Sequence, residues 1–245
     1  MLHEDMANTG FFLFRWRSYL PLVLIVPILF AALEFEYLFE SQPYEYFWLL
    51  GCMLISFAGE AVRIMTVGFV PRGTSGRNTT SQRANELNTT GIYSTVRHPL
   101  YLGNFLIIMG IVLAIHSLWL TILVALLYWL YYERIMMAEE SFLKDSFGDT
   151  FVEWSRRTPA VVPHPGKWRR PSLEFSPRTV LRREYNTIFT IFLLFVMIGI
   201  VTESMNADDV VIAPAWIALL AAAGVFYGVI WILKHYSNTL RIEGR

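Results

Sequence analysis

Apolar residues run along this chain in long blocks, not in the alternating pattern of a half-buried strand or the three-and-four spacing of a surface helix. The blocks are Tyr19 to Phe39, Tyr44 to Val70, Tyr101 to Ile115, Leu118 to Met137, Asn186 to Thr202 and Val211 to Leu233. Crossing a hydrocarbon core of about 30 Å takes about 20 mostly apolar helical residues, because no water is present there to satisfy exposed backbone groups. The pattern predicts an all-α fold, a polytopic transmembrane helical bundle of about six spans with polar loops between them. The third block is short, and little more than Ile115, His116 and Ser117 separates it from the fourth. Those two are expected to form a tight helical hairpin. Pro21 and Pro27 predict a kink in the first span, where neighbouring helices satisfy the freed carbonyls.

Polar residues between the blocks set the orientation. Arg15 and Arg17 precede the first block; Arg72, Arg77, Arg83 and Arg97 follow the second; Lys144 through Arg183 follow the fourth; Lys234, Arg241 and Arg245 come last. The alternate loops hold Glu36, Glu40, Glu45, His116, Glu203, Asp208 and Asp209, with no Lys or Arg. By the positive-inside rule both termini are expected to be cytoplasmic, and without a targeting signal in the sequence the expected membrane is a bacterial inner membrane. The polar lead of about 18 residues has no basic n-region, so the first span is expected to stay in the protein.

Composition agrees with the pattern. The chain is 55% hydrophobic and 16% aromatic over 245 residues, with a mean hydropathy of +0.43, too apolar for an ordinary soluble domain. Lys plus Arg and Asp plus Glu are 20 each, and this balance gives no reason to expect a nucleic-acid partner. A single cysteine, Cys52, excludes an internal disulfide and a multi-cysteine metal site, and no metal is expected.

Three regions follow: 1–70 with two spans, 71–163 with a polar loop, the helical hairpin and a Glu-Glu segment, and 164–245 with a basic juxtamembrane linker and two further spans. Chemistry is sought in the long polar segments Pro71 to Pro99 and Glu139 to Arg183. Pro99 suits the first turn of a helix, where its missing N–H costs nothing. Arg97 and His98 then flank a helix N-terminus, a place that attracts carboxylates and phosphates. Residue by residue, Arg97 and His98 also read as interfacial anchors, Tyr101 as part of an aromatic belt and Gly103 as a close-packing position.

Taken together the residues are more specific. Gly91-x-Tyr93-x-x-x-Arg97-His98-Pro99-x-Tyr101-x-Gly103 resembles the defining segment of the isoprenylcysteine and phospholipid methyltransferases. The stretch Arg134-x-x-x-x-Glu139-Glu140-x-x-Leu143-x-x-x-Phe147-Gly148-x-x-Phe151-x-x-Trp154-x-x-Arg157 resembles the second motif of that family, with Phe151 and Trp154 where relatives commonly have tyrosines. The resemblance covers roughly Gly51 to Pro163. It implies an S-adenosylmethionine pocket where the two segments meet, held by Arg97, His98, Pro99, Tyr101, Gly103 and Glu140. Such a cofactor carries both signs of charge, so a pocket beside the bilayer must supply both.

Arg134 and Glu139 are the candidate catalytic residues. The arginine fork suits an anionic acceptor and the carboxylate would orient it. Five residues on a regular helix place them about 140° apart, so they share one site only if the helix bends. Glu60 and Arg63, within the second block, read as an i,i+3 ion pair; the rival role for Arg63 is substrate binding through an anionic lipid headgroup. The run Lys167, Arg169, Arg170, Arg178, Arg182 and Arg183 marks a segment attracted to anionic lipid. The last two spans lie beyond the resemblance and read as a wall around a lipid acceptor, a homo-oligomer interface or an anchor.

The expected partner is a membrane lipid or lipidated acceptor. Two other classes stay open at this point. Nicotinamide-dependent sterol or isoprenoid reductases are similar around an Arg-His-Pro-x-Tyr segment, and a membrane scaffold or transporter would also produce the spans.

Overall fold

A computed structural model describes residues 2–16, 25–33, 42–71, 86–207, 209–242 and 244. Its elements are helices α1 Leu2–Trp16, α2 Ile25–Leu33, α3 Gln42–Val67, α4 Pro99–Leu113, α5 Leu118–Phe147, α6 Asp149–Arg157, α7 Pro177–Ala207 and α8 Pro214–Tyr236, with single 3-10 turns at Ile92–Ser94 and Pro165–Lys167. No strand occurs among the described residues. Four helical stretches, Tyr44–Val67, Leu118–Phe147, Pro177–Met205 and Pro214–Tyr236, are long and apolar enough to cross a membrane, and Pro99–Leu113 is a shorter apolar helix. The chain is an integral, multi-pass membrane protein. Of the first expected span only Ile25–Leu33 is seen; the remainder, like Arg72, Arg77 and Arg83, lies outside the described residues.

The predicted hairpin forms. Helix α4 starts at Pro99, and the turn into α5 is set by His116 with φ +61° and by Ser117, whose side chain caps α5 by accepting from the Leu120 N–H at 3.4 Å. Helix α3 lies tightly along α4. A methyl placed on Gly103 would sit 2.8 Å from the carbonyl of Gly59 and 2.7 Å from Cγ of Arg63. Small residues permit such a close crossing where burial alone does not hold helices together. Apolar contacts extend the core: Leu49 and Cys52 of α3, Ile107 of α4, Ala114 just past its end, and Ile191 and Phe195 of α7 form one cluster. Met109, Val112, Ile115, Leu120 and Val124 form another with Ala31 of α2.

Three expectations about boundaries need correction. The polar lead contains a helix, α1, which crosses α5 where Gly10 abuts the carbonyl of Arg134 and the Tyr131 hydroxyl donates to the carbonyl of Leu13 at 2.9 Å. Helix α5 runs past Met137 to Phe147 and stops at Gly148, whose φ of +52° suits glycine. Helix α7 starts at Pro177, ahead of the predicted Asn186, so Arg178, Arg182 and Arg183 are helical and only 164–176 is linker. Ser176 explains this start. Its Oγ accepts from the Thr179 N–H at 3.2 Å and Pro177 follows it, an N-terminal signal that hydropathy does not register.

Candidate functional site

The segment before α4 is clasped by the chain that follows α6. Gly91 adopts φ +60° and ψ −136°, a conformation open essentially to glycine, and its N–H donates to the carbonyl of Arg169 at 3.0 Å. The N–H groups of Arg97 and His98 donate to the carbonyls of Pro159 and Ala160 at 2.9 and 3.1 Å, and that of His164 to the Thr95 carbonyl at 3.0 Å. From α6, the Trp154 indole donates to the Tyr93 carbonyl at 3.1 Å. Backbone groups of Gly91, Thr95, Arg97 and His98 are thus satisfied by a segment far along the chain, which fixes the entry into α4.

That fixed entry aims charged side chains at the last turns of α5. Nη1 of Arg97 lies 2.8 Å from Oε2 of Glu140, and Nε2 of His98 lies 2.9 Å from Oε1 of the same carboxylate. The other ring nitrogen of His98 is 3.6 Å from Oε2 of Glu139. The Tyr101 hydroxyl donates to Oε1 of Glu139 at 2.5 Å, and the Tyr101 ring is stacked on the His98 imidazole with centroids 5.8 Å apart. Tyr132 of α5 closes on Tyr101 at 4.8 Å, while Tyr128 donates to the Tyr101 carbonyl at 2.6 Å. His98 is buried; Glu139 and Glu140 are partly exposed.

Burial alone would lower the pKa of His98, but hydrogen bonds and charges from Glu139 and Glu140 outweigh it and hold the imidazole above its ordinary value. Burial, aided by the Glu139 charge, pushes the Tyr93 phenol up and keeps it neutral. Among the described residues Nε of Arg97 is buried without a hydrogen-bond partner, a donor left over within an otherwise paired cluster.

The structure therefore gathers Arg97, His98, Tyr101, Glu139 and Glu140, with Pro99 starting the helix that follows the first two and carries Tyr101. It separates the other candidates. Gly103 faces α3 and serves the helix crossing, not the charged cluster. Arg63 does pair with Glu60 at 3.5 Å, but Glu184 of α7 is nearer, with Oε2 accepting from Nε at 3.0 Å and Nη2 at 2.6 Å, and Nη1 donates to Asn104 at 2.5 Å. With all three nitrogens engaged inside the protein, a headgroup contact for Arg63 gives way to a structural one. Arg134 bonds back to the carbonyl of Leu130 at 2.7 Å, and because α5 is unbroken it does not reach Glu139. Glu184 went unrecognised in the sequence because it closes a run of basic residues. Its signal is a carboxylate at the start of an apolar block, in a chain whose second span holds an arginine.

These features define an integral membrane protein with a two-sign charged cluster at the junction of two motif segments. Residues 48–150 match the model of the phospholipid methyltransferase family. A cobalt-zinc-cadmium resistance protein of Cupriavidus metallidurans is 33% identical over 151 residues, 61% of this chain and 65% of that protein. A nickel-cobalt-cadmium resistance protein of Alcaligenes xylosoxydans xylosoxydans is 35% identical over 116 residues, 44% of this chain and 54% of that one. A protein-S-isoprenylcysteine O-methyltransferase of Schizosaccharomyces pombe is 32% identical over 77 residues, 31% of this chain and 33% of the enzyme. The chain thus spans 65% and 54% of the length of the two bacterial relatives. No solved structure matches. Residues 48–150 are thus similar to the phospholipid methyltransferases, and 77 residues of the chain to a protein-S-isoprenylcysteine O-methyltransferase.

Proposed function

We propose that the protein is an S-adenosylmethionine-dependent methyltransferase that acts on a carboxylate or phosphate of a lipid or lipidated molecule, at the cytoplasmic face of a bacterial inner membrane. The observation that carries this reading is the cluster of Arg97, His98, Tyr101, Glu139 and Glu140, a guanidinium, an imidazole and two carboxylates beside an aromatic ring. Its donor set fits the cofactor. The spare Nε–H of Arg97 and an imidazole N–H of His98 offer donors to a carboxylate, Glu140 offers acceptors to an ammonium or to ribose hydroxyls, and Tyr101 presents a ring face to adenine or to a cation. When bound, the cofactor supplies an electrophilic methyl whose bond to sulfur breaks as a bond to the acceptor oxygen forms.

An anionic acceptor needs alignment more than a base. Arg134 has a guanidinium that donates to the Leu130 carbonyl one turn back on the same helix, and we assign it the acceptor anion. Glu139, tied to Tyr101 and His98, orients those two side chains. The catalytic core then comprises 71–163. In the chain it is preceded by the helices of 1–70 and followed by those of 164–245. The two bacterial relatives are named for metal resistance; among the described residues no group of three or more His, Cys, Asp or Glu side chains is arranged to hold a metal ion, and methyl transfer as proposed requires none.

Membranes containing the purified protein, incubated with methyl-tritiated S-adenosylmethionine, are expected to transfer label to the lipid extract, with mass spectrometry showing the gain of one methylene mass on a single lipid class. Oxidation of NADPH without methyl label would overturn the proposal in favour of a reductase. Failure of the protein to bind S-adenosylmethionine by calorimetry would overturn it in favour of a scaffold or transporter.

A further inference from the structure

Helices α7 and α8 lie outside the family match, which ends at residue 150, yet α7 reaches into the motif helices at one buried point. Oε2 of Glu184 takes two hydrogen bonds from Arg63, at 3.0 and 2.6 Å, and accepts from the Thr187 hydroxyl at 3.3 Å. The Glu184 side chain is 1% exposed and that of Arg63 14%. The third guanidinium nitrogen holds Asn104 of α4 at 2.5 Å, and the arginine's Cγ lies 2.7 Å from where a side chain on Gly103 would begin. Three helices therefore meet on one guanidinium: α3 supplies it, α4 is held by it, and α7 orients it. Asn104 follows Tyr101 by one helical turn on the helix that begins at Pro99 next to His98.

We infer that Glu184 is a positioning residue for the candidate active site: by orienting Arg63 against Asn104 it sets the pitch and depth of α4, and hence where His98 and Tyr101 meet Glu139 and Glu140. The inference rests on the methyltransferase reading and deepens it, because it makes the C-terminal pair of helices a working part of the enzyme and not an added anchor. The chemistry favours this over simple adhesion. A planar guanidinium held through two adjacent nitrogens by one carboxylate oxygen is restrained in its swing, so its third nitrogen meets Asn104 from a set direction. A carboxylate serving only to attach α7 has no need of the bond to α4. Apolar contacts already attach it, with Ile191 and Phe195 packed among Leu49, Cys52 and Ile107, and Ser176 donates its N–H to the Gly68 carbonyl at 2.9 Å.

The test uses the full chain in detergent micelles or nanodiscs. Glu184→Gln keeps the shape and removes the charge, Glu184→Asp keeps the charge on a shorter arm, and Met197→Ala on the exposed face of α7 is the control. In the Gln variant S-adenosylmethionine is expected to bind more weakly on the order of tenfold, the scale on which small misplacements act, with the Asp variant recovering part of the loss and the control unchanged. Combined with His98→Ala, the two losses are expected to fall well short of their product, whereas independent sites multiply. Hydrogen exchange supplies a readout without cofactor: amides of 98–104 are expected to exchange faster in Glu184→Gln than in the wild type.

Faster exchange across α7 alone, with 98–104 unchanged and the two losses multiplying, would overturn the inference and leave Glu184 an adhesive contact. If the wild type binds no S-adenosylmethionine while 98–104 still loosens in the variant, the clamp stands and the methyltransferase reading falls. Should Glu184→Gln fail to fold, Thr187→Val, which removes only the hydroxyl bond to the carboxylate, carries the same measurements with a smaller expected change.

Discussion

Nε2 of His98 stands 2.9 Å from Oε1 of Glu140, a contact that spans 42 residues of sequence and joins the start of α4 to the last turns of α5. Neither side chain has much freedom. The backbone of His98 is pinned to Ala160, and Glu140 also receives Arg97. Removing either partner leaves the other buried or half-buried with a lost charge-assisted bond, a change worth about 1–3 kcal/mol. Both His98→Ala and Glu140→Ala are therefore expected to weaken S-adenosylmethionine binding by roughly ten- to a hundredfold. Isothermal calorimetry in detergent measures this, and unchanged affinity in both variants rejects the assignment of the cluster to the cofactor.

The same contact gives a pH dependence of definite sign. His98 has a folded pKa above its ordinary value because the bonds to Glu139 and Glu140 outweigh burial. A raised pKa stabilises the folded state fully below the unfolded value of about 6.5 and loses that contribution as pH climbs through the folded value. The wild type is thus expected to exceed His98→Asn in thermal stability by more at pH 6 than at pH 9. Melting curves of the two proteins across that range check it. A difference that grows with rising pH contradicts the arrangement.

The close crossing of α3 and α4 is expected to tolerate no side chain. On Gly59 a methyl would meet the Gly103 carbonyl inside contact distance, while on Gly224 of α8 it would meet nothing within 4 Å. Gly59→Ala is expected to destabilise by about 1–3 kcal/mol, as overpacking of tight cores does, and Gly224→Ala to change the melting temperature little. Fluorescence-detected thermal unfolding of both variants decides the matter; equal melting temperatures would mean that the crossing yields easily.

Hydropathy placed most of the membrane helices because, in lipid, length and apolarity are nearly the whole requirement. It said nothing of α1, whose polar residues hide the fact that Gly10 lets it lie against α5, nor of the start of α7, which depends on the Ser176 cap. The cluster was legible where its members sit in contiguous motifs, Arg97-His98-Pro99 and Glu139-Glu140. The partner of Arg63 was not. Glu60 is its neighbour along the helix and satisfies local spacing, whereas Glu184 is 121 residues away and is brought near only by packing of α7. Gly103 shows the converse: a residue within a chemical motif that the fold uses for contact between helices.

Arg134 provides the sharpest separation of binding from transfer. It is on α5, roughly 140° around the helix from Glu139 by helical geometry, and its Nη1 bonds to the Leu130 carbonyl, so its loss leaves the contacts among Arg97, His98, Tyr101, Glu139 and Glu140 in place. If it holds the acceptor anion as proposed, Arg134→Ala should leave cofactor affinity within about twofold while lowering the single-turnover transfer rate by about a hundredfold, the scale of misaligned reactants. Arg134→Lys keeps a charge but not a planar fork, and is expected to recover only part of the rate. Calorimetry and rapid-quench transfer of tritiated methyl to lipid, run on the same preparations, separate the two effects. A loss of cofactor affinity in Arg134→Ala equal to that in His98→Ala would move Arg134 into the cofactor site, and an undiminished rate would remove it from the chemistry altogether.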